Sequence, residues 1–102
     1  MKMIITDQAS KWFHNEMGLS DGRGVRFYGK VYGNTPVHEG FSLAMTPDDH
    51  PEKPYAITKK DGVNYFVQED DRWFFKGYDL IINYDPSVDG PKYNYVENSE
   101  LQ

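Results

Sequence analysis

Three histidines, His14, His38 and His50, are the residues of this chain with the broadest chemistry, and no cysteine accompanies them. His38 is followed directly by Glu39 and then Gly40. An imidazole nitrogen and a carboxylate are thus presented together, a pair that can hold a metal ion or a polar ligand. His14 falls beside the apolar edge of a helical stretch, and His50 follows Asp48 and Asp49 in a proline-rich segment. None of them stands at the short helical spacing that puts two imidazoles on one face, so a shared metal site would need separate segments to converge. The lack of cysteine removes disulfides, thiolate metal sites and thiol nucleophiles together. No serine with a paired histidine, glycine-rich phosphate loop or framed carboxylate pair is visible, so the chain reads as a non-enzyme with no resident cofactor expected.

The aromatic residues offer a second kind of chemistry. Tyr28 and Tyr32 share a strand face with Arg26 and Lys30, a row that suits a platform for a peptide, a glycan or a second copy of the chain. The same row also suits ordinary cross-strand packing, and Tyr93 and Tyr95 carry the same two readings. Trp73, Phe74 and Phe75 are consecutive. On a short helix they read as core, with one of them turned away toward an interface.

The elements that must position these side chains fit one domain over residues 1–96 with a polar tail at 97–102, since 102 residues is the size of a single core. A formal charge of −5 gives no broad positive field for a phosphate backbone, which sets nucleic acid aside as a partner. No apolar run is long enough for a signal peptide or a membrane span, which points to a cytoplasmic protein.

Met3 to Ile5 predict a strand, and Thr6 or Asp7 can cap a helix that carries Ala9, Trp12, Phe13 and Met17 on one face and stops at Gly18. From Gly24 the pattern alternates, with Val25, Phe27 and Val31 on one side; Phe41, Leu43 and Met45 resume it until Pro47, as a hairpin partner. Residues 47–54 hold three prolines and several charges and read as a solvated loop. Two strands flank Lys60-Asp61-Gly62, a tight-turn signal. Asp70 and Asp71 stand where acids favour the start of a short helix ending before Gly77; strands over Tyr78–Asp85 and Lys92–Val96 follow, joined by a turn. The sum is an α+β, mainly β domain with a mixed or antiparallel twisted sheet or a β-sandwich, one N-terminal helix and a short second helix.

Several segments, in their order, resemble the HesB family, the A-type carriers that include IscA-like iron-sulfur assembly proteins. They are Ile5-Thr6-Asp7-Gln8-Ala9-Ser10, Gly24-Val25-Arg26-Phe27, Gly40-Phe41-Ser42-Leu43 with the acidic Asp48-Asp49 beyond it, Asp61 to Val67, and Gly77 to Tyr84. The resemblance spans nearly the whole chain and implies the HesB-like fold. Cluster-carrying members use a cysteine in a Cys-Ser-Gly-Phe string and two more in a Cys-Gly-Cys string near the C-terminus. His38 matches the first of these positions, and the second string is missing. What the resemblance implies is therefore a cysteine-free branch: a non-enzymatic accessory in the setting of iron-sulfur metabolism. It would bind a protein partner, such as the iron-sulfur assembly machinery, or iron through His38 and Glu39. The alternative is a small binding module that uses Tyr28 and Tyr32, with a homodimer left open.

Overall fold

The computed structural model describes residues 1–30 and 42–98. The elements run β1 (Met3–Ile5), α1 (Asp7–Met17), β2 (Gly24–Lys30), β3 (Ser42–Pro47), β4 (Pro54–Lys60), β5 (Val63–Gln68), a 3-10 turn (Glu69–Asp71) leading into α2 (Arg72–Phe75), β6 (Tyr78–Asp85) and β7 (Gly90–Glu97). This is an α+β, mainly β architecture with two open mixed sheets, ordered β1-β6-β7 and β3-β2-β5-β4. No helix among the described residues is long and apolar enough to cross a membrane.

Helix α1 starts as its sequence requires. Thr6 is extended and its hydroxyl accepts the Ala9 N–H at 3.2 Å, and Gly18 closes the helix in the left-handed conformation; a cap of this kind contributes about 1 kcal/mol. Ala9, Ser10 and Phe13 form the buried face.

The β4–β5 hairpin turns through Asp61 and Gly62, both at positive φ, as a two-residue turn between twisted strands needs. β2 and β3 pair antiparallel, and so do β6 and β7. Two parallel pairings, β1 with β6 and β2 with β5, tie distant parts of the chain. The Thr58 hydroxyl on β4 donates to the Met3 carbonyl on β1 at 3.0 Å, which links the two sheets.

The core lies between the sheets and under α1. Phe13 meets Phe27 and Tyr65 edge-on at 6.2 and 5.3 Å, and Phe27 reaches across to Tyr93 at 6.0 Å. Edge-to-face rings of this kind add to what their burial contributes. Tyr65, Phe66 and Val67 are all buried, so β5 is covered on both faces.

Of the three consecutive aromatics, Phe74 and Phe75 are buried and Trp73 is 48% exposed. Phe74 lies so close to β2 that a Cβ on Gly29 would collide with its ring. Asp71, expected to favour the start of α2 by its charge, makes no side-chain cap there. Its carboxylate is taken by Arg26, where two N–H donors satisfy a nearly buried oxygen.

Candidate functional site

His38, Glu39 and Tyr32 lie outside the described residues. Tyr28 stands on β2, half-buried, with the Arg26 guanidinium 5.3 Å from its ring centroid. That guanidinium also donates to Asp71 Oδ2 through Nε at 3.0 Å and Nη2 at 2.7 Å. The basic neighbour of Tyr28 is therefore engaged by an internal carboxylate. Arg26 lines a cleft of ≈ 130 Å³ with Glu52, Lys53, Gln68, Glu69 and Asp70. Tyr93 packs on Phe27, and burial pushes its phenol pKa upward. Tyr95 meets Tyr78 edge-on at 6.3 Å, and burial pushes its phenol up to about 12.

The acidic loop serves the fold. Asp49 accepts from Arg23 Nε at 2.9 and 3.0 Å and from the Gly24 N–H at 3.0 Å, and these donors hold its carboxyl below the usual range. The His50 N–H donates to Asp48 at 2.9 Å. Among the described residues no group of three or more His, Asp or Glu side chains is placed to hold a metal ion.

The structure assembles two polar constellations that sequence spacing does not reveal, and both fasten α1 to a hairpin turn. On one flank the Ser10 hydroxyl donates to Asp61 Oδ2 at 2.6 Å. His14 Nδ1 lies 2.8 Å from the Ser10 carbonyl and Nε2 lies 3.0 Å from the Asp61 carbonyl. A neutral imidazole has one N–H, so only the charged ring donates to both carbonyls. The Lys60 ammonium closes this flank on Asp7 at 2.6 Å.

Behind Ser10 the Tyr65 hydroxyl is buried without a hydrogen-bond partner. Burial pushes this phenol up to about 12.

Serine, histidine and aspartate thus meet here, but not in the arrangement that activates a nucleophile. The hydroxyl points at the carboxylate, both imidazole nitrogens face backbone carbonyls, and Ser10 is 1% exposed. A triad needs the imidazole between the other two groups with the hydroxyl open to substrate.

On the other flank, the Trp12 indole N–H donates to the Asp89 carbonyl at 2.9 Å and the Tyr84 hydroxyl donates to Asp89 Oδ1 at 2.8 Å. Asp61 and Asp89 are the two non-glycine residues with positive φ among those described, a conformation that aspartate tolerates better than most residues. Trp12, Tyr84, Asp89 and Glu16 line a cleft of ≈ 350 Å³ between α1 and the β6–β7 turn. The signal for this site was Trp12 on a helix face otherwise covered by core; its partner Asp89 lies 77 residues away.

No protein-family model matches the chain. A protein of Bacillus subtilis (strain 168) described as a pyruvate dehydrogenase inhibitor is 34% identical over 95 residues, which is 93% of this chain and 99% of that protein. An uncharacterised protein of Staphylococcus aureus (strain USA300) is 31% identical over 85 residues, 81% of this chain and 87% of its own. One from Staphylococcus saprophyticus is 26% identical over 95 residues, 91% of this chain and 97% of its own. Among solved structures, Escherichia coli SufA, involved in biosynthesis of iron-sulfur clusters, shares the fold with a TM-score of 0.58 at 18% identity, over 94% of this chain and 80% of SufA. That likeness supports the HesB-like fold expected from the sequence.

Proposed function

The chain belongs to the family of the Bacillus subtilis pyruvate dehydrogenase inhibitor, and on that ground we propose that it is a non-enzymatic cytoplasmic protein that restrains a pyruvate dehydrogenase by binding it. The observation that carries this reading is the near end-to-end match, 99% of the relative's length at 34% identity. A match of that extent spans the whole fold rather than one segment of it, and an inhibitor that acts by contact needs only a surface.

The test is to add the purified chain to the pyruvate dehydrogenase of the same organism, following activity and co-elution together. Activity is expected to fall until the chain and the enzyme reach a fixed ratio, with both in one chromatographic peak. Full activity at excess chain, with separate peaks, would remove it.

The likeness to SufA favours a second reading, an accessory of iron-sulfur metabolism that uses His38 and Glu39 for iron or docks on assembly proteins. The chain has no cysteine, while clusters are normally held by thiolates. In this reading iron is a cargo held by imidazole and carboxylate, and iron retained after anaerobic purification would be lost in His38→Ala.

A further inference from the structure

The cleft between α1 and the β6–β7 turn has walls that are already fixed. Trp12 and Tyr84 each tie a polar tip to Asp89, at 2.9 and 2.8 Å. Their rings are thereby held in place and line a space of ≈ 350 Å³, many times the roughly 30 Å³ that one water occupies in the liquid. Asp89 keeps a positive φ to make both contacts. Little ordering cost remains for a group that enters between rings already immobilised.

The charge around these rings is negative. Glu16 and Asp89 line the cleft, and the carboxylates of Asp89, Asp85 and Glu16 all act on the Tyr84 phenol and hold its pKa above the usual value. The cations nearby are shared with other acids. Lys11, which itself lines the cleft, also acts on Asp7 one helical turn earlier, and Lys92 acts on Asp85. The lining sets the carboxylates of Glu16 and Asp89 against the one ammonium of Lys11, so an anion meets a net negative wall and a neutral group gains nothing from it. An ammonium or guanidinium gains from the carboxylates and from the aromatic faces together.

We propose that this cleft is a receptor for one lysine or arginine side chain presented by a protein partner. The indole and phenol rings flank the aliphatic stem and the cationic head, and Glu16 and Asp89 balance its charge. The net charge of −5 favours the approach of a basic surface at low salt. The site goes beyond the dehydrogenase reading and does not depend on it.

The experiment is an NMR titration of the full-length, nitrogen-labelled chain with the peptide acetyl-Gly-Arg-Gly-amide, and in parallel with its uncharged citrulline counterpart. The chain has two tryptophans, so the Trp73 indole signal serves as an internal control for Trp12. The expected result is a saturable low-millimolar displacement of the Trp12 indole N–H with the arginine peptide alone, weakened by added salt. In Glu16→Gln, at an exposed helix position, binding should be roughly 2- to 5-fold weaker. Overturning results are no saturable displacement, equal displacement by the citrulline peptide, or displacement centred on Trp73. No dehydrogenase enters the titration, so this site and the proposed inhibition succeed or fail separately.

Discussion

Arg26 shows how much one side chain holds together. Its guanidinium satisfies Asp71, which is 8% exposed, and lies against the Tyr28 ring. Arg26→Met would leave that carboxylate without its charged partner, while the 32% exposure of the Arg26 side chain lets water soften the loss. The expected cost is about 2 kcal/mol, below the range for a fully buried pair. Urea unfolding measures it, and a midpoint equal to the parent's would show the pair to be dispensable.

Tyr65 is a second single side chain on which stability depends. Its phenol is raised to about 12 chiefly by burial, so the fold keeps a proton that the unfolded chain releases near the ordinary tyrosine value. Stability from this group is complete below about pH 10 and is lost as pH rises toward 12. Alkaline unfolding of Tyr65→Phe should be shifted to higher pH; an unshifted curve would mean that the phenol does not contribute. Little of this chemistry is legible in the sequence. Ser10 and Asp61 are 51 positions apart and Trp12 and Asp89 are 77 apart, and a side-chain bond across such a distance leaves no local pattern.

At the scale of elements, legibility followed range. The cap at Thr6, the Asp61-Gly62 turn and the strands β2 and β6 each depend on neighbours within a few positions, and the structure places each of these features where the local pattern predicts it. The parallel pairings of β1 with β6 and β2 with β5 depend on chain segments that carry no mark of each other. Asp71 is a case where tertiary contact overrode a local preference, since Arg26 takes the carboxylate that the start of α2 would otherwise attract.

The seating of α2 on β2 also depends on range, because it needs Gly29 to have no side chain beneath Phe74. Gly29→Ala should destabilise by about 1–3 kcal/mol through overpacking. Phe74→Leu in the same chain should restore part of that loss, and this distinguishes a steric clash from a backbone effect. Equal stability of parent and Gly29→Ala would contradict the close approach.

Across the molecule, the fold is shared with SufA, and the chain has no cysteine. A fold hosts many functions and does not choose among them. What remains on the surface suits contact: two hairpin turns strap α1 in place and leave a cleft with fixed aromatic walls, in a chain of net charge −5. The near full-length relative is described as an inhibitor of pyruvate dehydrogenase.

The most direct test of binding-based restraint is a dose curve of pyruvate dehydrogenase activity against chain that has been stripped of metal, repeated with chain treated anaerobically with iron and sulfide. Inhibition is expected to saturate at a fixed ratio of chain to enzyme and to be the same for both preparations. Full activity with the metal-free chain, or inhibition seen only after iron treatment, would contradict it.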